Sequence, residues 1–282
     1  MEVPVNYDYA VHSDFLIHWT GKDIDKDYDP LWYQSDKSKT DDGCSKAFIK
    51  RLFDILQYGI WMTEKTEITD SPIILNGISI DLPPTPKSCF TELKLSESRK
   101  HAKLYGRLGI GVKRPFLFNH FGRPMIYYGY HNRSAVNDLF LTCCAHELAT
   151  KKLLNYFKPM NSTTTLDYDF YSESEWRIIF FEELIKRKLI KDPKDPQNIK
   201  EHAYYQSLTP GEQNKLKYLI PLDGWFAMII YPSLQVKNLA QKDLTNGIQS
   251  EIKRIKTNPD HANRVENGNW PIEINLDACR NF

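Results

Sequence analysis

Apolar residues follow one another along the chain with two different spacings, and each change of spacing predicts a new strand or helix. Short runs rich in Ile, Phe, Trp and Tyr indicate strands, because these side chains fill a pleated, enclosed surface. Apolar residues spaced three and four apart indicate helices with one buried face. The predicted strands are 14–20, 73–75, 78–82, 89–92, 124–128, 176–181, 219–221, 225–231 and 270–276. The predicted helices are 47–59, 96–105, 134–157, 182–190 and 236–255.

Turn-forming residues separate several of these elements. Asn76-Gly77 stands between two short apolar runs, a pattern that predicts a β-hairpin. Gly106, Gly109 and Gly111 follow one another closely without a Walker motif, and predict a tight turn or a close approach of backbone to a ligand. The segment 191–217 is rich in Pro, Asp, Lys and Gln, which predicts a mobile insertion.

Strands and helices follow no regular alternation, and no repeat with a period of ~20 to 50 residues occurs. This arrangement predicts an α+β fold, in which helices pack against a central mixed or antiparallel sheet. The 282 residues are enough for one large domain, and we expect a single domain over residues 1–282.

Composition restricts the partners and the compartment. Lys and Arg total 37 against 36 Asp and Glu, so no strong global field attracts nucleic acid. The five cysteines form no C-x-x-C pair, which indicates reduced thiols. The N-terminus lacks a basic head with an apolar core, and no run approaches the ~20 apolar residues that span a bilayer. We therefore predict a soluble cytoplasmic protein without membrane association.

Two pairs of polar residues are candidates for chemistry. Glu173 and Glu175 stand two residues apart before an apolar run, so they share a face if the strand reaches them. Such a carboxylate pair suits cation stabilisation or proton transfer; the alternative is a solvated strand edge whose charges discourage aggregation. His18 and Thr20 are likewise spaced by two, at the end of the first predicted strand.

Six segments that occur together in this order carry a family resemblance: His18-Trp19-Thr20, Ile55–Ile60, Cys89–Glu92, Lys103–Lys113, Pro124–Tyr128 and Ser174–Arg177. The combination resembles the AbiGi-type abortive phage-infection proteins over about residues 12–232. Membership would imply a role in antiviral defence, within a toxin-antitoxin or sensor pair that includes a protein partner.

A more distant similarity is to the ADP-ribosyltransferase superfamily, including DarT-like toxins, and it implies an ADP-ribosyltransferase-like fold with NAD as substrate. In that family a His-x-Thr strand holds part of NAD, a tyrosine stacks on nicotinamide, and a late glutamate stabilises the ribosyl cation. The matching residues are His18 and Thr20, then Tyr105, Tyr127 or Tyr128, and Glu175, with Glu173 positioning the acceptor. Arg114 or Lys113 could hold the pyrophosphate.

Three functions compete on this basis. The first is an NAD-consuming defence effector that transfers ADP-ribose to a macromolecular acceptor, or hydrolyses NAD. The second is a non-enzymatic AbiGi-like antitoxin or sensor, the binding module of a two-component phage-resistance system. The third is a nuclease whose carboxylates and histidine hold a metal. The sequence specifies neither the acceptor nor the partner.

Overall fold

The computed structural model describes residues 13–24, 42–64, 73–75, 78–80, 84–92, 95–128, 152–159, 174–242, 247–258 and 270–281. Within these residues a seven-stranded mixed sheet has helices packed against it. The predicted α+β class is therefore confirmed at the level of a sheet with packed helices.

The strands are numbered in chain order. They are β1 (Phe15–Thr20), β2 (Ile60–Thr63), β3 (Ile73–Leu75), β4 (Ile78–Ile80), β5 (Ser88–Glu92), β6 (Leu108–Lys113), β7 (Arg123–Pro124), β8 (Ile126–Tyr128), β9 (Phe157–Pro159), β10 (Glu175–Ile178), β11 (Leu216–Ile220), β12 (Phe226–Tyr231) and β13 (Ile272–Asn275). The helices are α1 (Asp42–Tyr58), α2 (Ser98–Tyr105), α3 (Arg114–Asn119), α4 (Phe181–Lys186), α5 (Ile199–Ser207), α6 (Pro210–Lys215), α7 (Leu234–Gln241) and α8 (Ile248–Lys256). Short 3-10 helices cover Leu95–Glu97, Leu153–Tyr156 and Ala278–Asn281.

The strand order of the main sheet is β13-β12-β6-β1-β5-β10-β7. All neighbours in it are antiparallel except β12 and β13, which are parallel. Strand β1 lies at the middle of this order, with β6 on one side and β5 on the other. Polar residues of β1 are therefore surrounded by sheet on both sides.

Each face of the sheet buries its own apolar cluster. On the first face, Leu16 of β1 packs in the larger cluster with residues of α1, α7 and α8. On the second face, Ile17 and Trp19 of β1 pack with Ala102 of α2 and Cys279. The alternation of β1 thus separates two cores, as expected for a strand covered on both sides.

The glycine-rich block contributes to the second of these cores. Gly109 and Gly111 lie inside β6. A Cβ atom at Gly111 would come 2.6 Å from the Cβ of Met228, and one at Gly109 would come 3.0 Å from the Trp19 ring. These two glycines make room for neighbouring side chains, and Gly106, with a φ of 112°, takes the turn conformation that the block predicts.

Two local sequence signals, a glycine at a helix end and an Asn-Gly pair between strands, lead to the structures that they predict. Helix α1 ends at Tyr58, and Gly59 follows with a φ of 116°, a conformation that favours glycine. Strands β3 and β4 pair antiparallel on either side of Asn76-Gly77, which confirms the predicted hairpin.

The predicted helix at 134–157 lies largely outside the described residues, and its end differs from the prediction. Residues 153–156 form a 3-10 helix, and Phe157 begins β9, which pairs parallel with β8. The predicted helix at 236–255 is instead two helices, α7 and α8. Gly247 precedes α8 with a φ of 69°, a left-handed conformation that a continuous helix would not contain.

Two predicted strands are shorter than expected. The predicted strand 176–181 is observed as β10, and Phe181 already belongs to α4. The predicted strand 124–128 divides into β7 and β8, which belong to different sheets. Pro124, exposed and without an N–H, fits the edge position of β7.

The segment 191–217, predicted as a mobile insertion, contains α5, α6 and the first residues of β11. Tyr204 of α5 stacks on Tyr58 at a centroid distance of 4.1 Å. Thr209 and Glu212 form a reciprocal capping box at the start of α6. The polar segment that we predicted as a mobile insertion therefore contains two short helices, of which α6 has a side-chain cap.

Among the helices in the described part of the chain, none combines the length and apolar character needed to cross a bilayer.

The turn after α1 provides a test of the fold. A Cβ atom at Gly59 would lie 2.3 Å from the carbonyl oxygen of Ile220, and its φ is positive. We expect Gly59→Ala to lower the free energy of unfolding by at least about 2 kcal/mol, measured by urea denaturation.

Gly211→Ala is the matched control, because a Cβ atom there would have no neighbouring atom within 4 Å. Its free energy of unfolding should stay within about 1 kcal/mol of wild type. Equal midpoints for the two variants would contradict the packing at Gly59.

Candidate functional site

Strand register places the predicted site residues on two different faces of the sheet. Ile17 lies opposite Thr91 of β5, and Thr91 lies opposite Glu175 of β10. Directly opposed residues project to the same side, so Glu175 shares the face of Ile17. His18 and Thr20 alternate with Ile17 along β1 and project to the first face. The structure therefore does not bring His18 and Thr20 together with Glu175.

On the second face, Glu175 is the centre of a buried ion cluster. Its Oε1 accepts a hydrogen bond of 2.7 Å from Nε of Arg177. Its Oε2 accepts one of 3.0 Å from Nζ of Lys158 and one of 3.2 Å from Nη2 of Arg177. Glu175 is 7% exposed and Arg177 is 6% exposed. Both carboxylate oxygens are thus engaged by cations in a site nearly closed to water.

The electrostatics of this cluster follow from those contacts. Burial by itself would raise the pKa of Glu175, but the charges of Arg177 and Lys158 outweigh it and hold the pKa well below its usual range. Burial raises the pKa of the Cys89 thiol to about 12, and the Glu175 charge adds to this effect. The thiol is therefore protonated at neutral pH and can donate to the carboxylate.

Local and non-local features assemble the cluster. Glu175 and Arg177 are two residues apart on β10, which puts both side chains on one face. Lys158 comes from β9, where it pairs in register with Tyr127 of β8. The Tyr127 hydroxyl accepts a 2.8 Å hydrogen bond from the Glu175 backbone N–H. Of the predicted residues, Tyr127 and Glu175 are thus brought together.

The residue before the cluster has an unusual backbone. Ser174 has a φ of 43°, in the left-handed region that non-glycine residues rarely occupy. Its carbonyl accepts a 3.1 Å hydrogen bond from the backbone N–H of Glu92. The entry to β10 is thus held in a strained conformation by its pairing with β5.

On the first face, His18 is bonded to the neighbouring strand. Its Nδ1 lies 2.9 Å from the carbonyl oxygen of Cys89, and its ring centroid lies 5.5 Å from that of Phe90. Burial lowers the pKa of His18 below 6.5, and the Arg51 charge acts in the same direction against the carbonyl contact. The ring is therefore neutral at pH 7. Because a carbonyl only accepts, Nδ1 carries the hydrogen and Nε2 carries a lone pair.

Arg51 is a residue that sequence reasoning did not select. Its Nη1 donates to Oγ1 of Thr20 at 3.1 Å and to Oδ1 of Asp23 at 3.3 Å. Its Nη2 donates to Oδ2 of Asp23 at 2.7 Å. Along the chain Arg51 falls on the polar side of α1, and nothing in that spacing indicates a contact with a residue 31 positions away.

Arg114 lies at the other end of β1. Its Nη2 donates to the Ser13 carbonyl at 2.5 Å and to Oε1 of Glu92 at 3.1 Å. Its guanidinium lies 5.7 Å from the Trp176 ring centroid. The backbone N–H of Arg114 bonds to Asp14, six residues and roughly 20 Å of strand from Thr20. Arg114 is therefore not brought to the His18 and Thr20 pair.

The remaining predicted residues have separate positions. Tyr105 ends α2 with 38% of its surface exposed, and the adjoining Gly106 lies against the backbone of Thr20. Lys113 lies 5.0 Å from the Phe15 ring centroid, at the Arg114 end of β1. Glu173 lies outside the described residues. Within the residues that are described, no group of three or more His, Cys, Asp or Glu side chains could hold a metal ion.

Comparisons with protein-family models, with curated proteins and with solved structures find no match to this chain. The candidate roles therefore depend on the geometry of the chain itself and on the sequence resemblances.

The ion cluster makes Glu175 a stability residue with a measurable contribution. We expect Glu175→Gln to lower the free energy of unfolding by about 3 kcal/mol, because the nearly buried Arg177 and Lys158 would lose the carboxylate that both of them contact. Glu92→Gln is a matched control. Glu92 has the same 8% side-chain exposure as Glu175, but its carboxylate contacts Arg114, which is 23% exposed, and the neutral indole N–H of Trp176. We expect a loss of about 1.5 kcal/mol there. Similar losses in urea denaturation would contradict the buried cluster.

The low pKa of Glu175 also predicts how the free energy of unfolding depends on pH. A carboxylate with a lower pKa in the folded state stabilises that state above its unfolded pKa, which is near 4.5 for glutamate. This contribution is lost as pH falls through the folded pKa. The difference in free energy of unfolding between wild type and Glu175→Gln should therefore be constant above about pH 5 and shrink toward about pH 2. A difference independent of pH over that window would show that the carboxylate is not held ionised.

Proposed function

We propose that this protein is a non-enzymatic binding module, the antitoxin or sensor member of an AbiGi-like two-component phage-resistance system. The observation that supports this proposal best is the position of Glu175, whose two carboxylate oxygens are bound by Arg177 and Lys158. A carboxylate that stabilises a ribosyl cation needs at least one oxygen directed at the reacting carbon.

The cost of releasing that carboxylate adds to the argument. Separating Glu175 from Arg177 would take a nearly buried carboxylate away from the cation that contacts both of its oxygens, at a cost of about 3 kcal/mol or more. Glu175 also lies on the sheet face opposite to His18 and Thr20, the residues expected to hold NAD. A substrate held at His18 would thus be separated from the carboxylate by the sheet itself. A structural role for Glu175 requires neither release of the carboxylate nor a substrate on the same face of the sheet.

The second candidate is an enzyme with an ADP-ribosyltransferase-like fold that transfers ADP-ribose from NAD or hydrolyses NAD. Two observations favour it: Glu175 is held in its ionised form, and the Tyr127 hydroxyl contacts its backbone. In this case the NAD site would use the second face, with Tyr127 as the aromatic residue. The acceptor would be a phage or host macromolecule.

Nicotinamide release separates the two candidates. We expect purified wild-type protein to release no nicotinamide from NAD above the rate of a buffer control. A binding module acts through a complex, so a stoichiometric protein partner should co-purify with the tagged chain from its host. Glu175→Gln, used at a temperature where circular dichroism shows it folded, should retain that partner as well as Glu92→Gln does.

Two results would overturn this assignment. Nicotinamide release by wild type that is lost in folded Glu175→Gln and retained in Glu92→Gln would establish the enzyme. A chain that protects cells from phage without any co-purifying partner would contradict the binding module.

A further inference from the structure

The ends of helices α3 and α4 meet beside β7 and form a surface of aromatic, aliphatic and cationic side chains. The guanidinium of Arg187, which follows α4, lies 4.8 Å from the ring centroid of Phe121, which follows α3. We call this the aromatic–cationic surface, and its members are Phe118, Phe121, Arg123, Ile185, Arg187 and Lys188.

Two large apolar side chains of this surface are open to solvent. Phe118 is 49% exposed, although its ring lies 5.9 Å from that of the buried Trp176. Ile185 is 38% exposed. Each of the two lies within three positions of a member of the cation–π pair formed by Arg187 and Phe121. Aromatic residues and arginine are the types that are enriched at the centres of protein interfaces.

The cations of the surface are only partly neutralised. Arg187 pairs with Glu183, and the two side chains are 57% and 40% exposed. The exposed Arg123 donates a 2.9 Å hydrogen bond to the carbonyl of the preceding residue. In the described part of the chain, no carboxylate lies within ion-pair distance of Arg123 or Lys188. Because the whole chain has a net charge of only +1, this excess of positive charge is local.

The backbone is strained at both helix ends that carry the surface. The N–H of Phe121 donates to the Phe118 carbonyl and the next N–H donates to the Leu117 carbonyl, the bonds of a Schellman motif. The end of α4 repeats this motif around Lys188. Its left-handed position usually holds glycine, but here it holds Phe121 and Lys188, with φ values of 56° and 59°. Side chains kept in this strained conformation indicate a role beyond the fold.

The edges of the main sheet favour a partner that docks through side chains. Strand β7 is two residues long and contains Pro124, which has no N–H to donate to an added strand. At the opposite edge, Nζ of Lys237 donates to the Glu273 carbonyl of β13 at 2.7 Å. Both edges are therefore poorly suited to pairing with a strand of another protein.

The charge of the surface selects the kind of partner. Two copies of this chain that met through it would bring like charges together, which opposes the contact. A nucleic acid presents a continuous line of phosphates, which would also meet the exposed carboxylates of Glu182 and Glu183. A protein segment can place acidic residues opposite the cations and apolar residues opposite Phe118 and Ile185.

We propose that the aromatic–cationic surface binds an acidic segment of the partner protein, whose apolar side chains pack against Phe118 and Ile185. The carboxylates of that segment pair with Arg123, Arg187 and Lys188. The proposal rests on the binding-module function, and it names the part of the chain that holds the partner.

Fluorescence anisotropy with a labelled random copolymer of glutamate and tyrosine tests this surface. The copolymer supplies carboxylates and apolar rings, so wild type should bind it, and more tightly than it binds polyglutamate. Arg187→Gln and Phe118→Ser, each shown to be folded by circular dichroism, should weaken binding at least about fivefold.

Two variants elsewhere on the chain are matched controls. Arg254 is 50% exposed and pairs with Glu251 of its own helix, so Arg254→Gln removes a similar ion pair. Leu234 of α7 is 53% exposed, close to the exposure of Phe118, so Leu234→Ser removes a similar apolar group. Neither control should change the affinity for the copolymer by more than about twofold.

Lys188→Gly separates a binding role from a structural one. Glycine takes the left-handed conformation without strain, so the unfolding temperature should rise. Binding of the copolymer should weaken at least about twofold, because a cation is lost. A lysine that served only the fold would give no loss of binding.

Three results with purified protein would overturn the proposal. The first is no binding of the copolymer by wild type, or equal affinities of Arg187→Gln and Arg254→Gln. The second is tighter binding of a DNA duplex than of the copolymer, which would identify a nucleic-acid surface. The third is a wild-type dimer in size-exclusion chromatography that Arg187→Gln dissociates, which would identify a second copy as the occupant.

Co-purification separates failure of this surface from failure of the binding-module function. Wild type and the double control Arg254→Gln, Leu234→Ser should retain the stoichiometric partner, and the double variant Arg187→Gln, Phe118→Ser should lose it. If all three retain the partner equally, the binding-module function stands and the surface is wrong. If wild type has no partner, the function is overturned and this proposal with it.

Discussion

The alternation of side chains along β1 is the constraint on which the rest of the structure depends. Ile17 and Trp19 face one core, Leu16 faces the other, and strands on both sides of β1 inherit these directions through their register. A slip of one residue would exchange every side chain between the two faces. Because both faces are covered by packed residues, such a slip would bury His18 and Thr20 where apolar packing is required. The faces on which His18, Thr20 and Glu175 lie follow from this register.

The charged groups on the two faces of the sheet differ in their exposure to solvent. On the second face, Lys158 of β9 and Arg177 of β10 meet the carboxylate of Glu175 away from water, and removing that carboxylate would take a shared anion from both cations. This cluster specifies how the strands meet, which is a sufficient physical reason for an acidic residue at the mouth of β10. At the Thr20 end of the first face, Arg51 is 21% exposed and Asp23 is 54% exposed, so their ion pair lies near solvent and contributes less to stability. One sheet thus combines a buried ion cluster on one face with an ion pair near solvent on the other.

Local patterns by themselves determined much of the secondary structure. The end of α1 at Gly59 and the hairpin at Asn76-Gly77 depend on residues within a few positions, so the sequence was sufficient for both. The shared face of Glu175 and Arg177 is also local, because it follows from their spacing of two. The predicted helix end at Phe157 and the predicted strand end at Phe181 were wrong. Apolar runs fit either a helix or a strand, and tertiary pairing decides between them.

What only the tertiary structure decided is which polar groups meet. The contact between Arg51 and Thr20 spans 31 residues, and that between Lys158 and Glu175 spans 17. Neither spacing has a local signature, because these partners approach through helix packing and strand pairing. The separation of His18 from Glu175 likewise depends on the register of β1, β5 and β10. A one-dimensional pattern specifies the face of a residue within its own strand, but the relation between strands is set by hydrogen bonds formed only in the folded sheet.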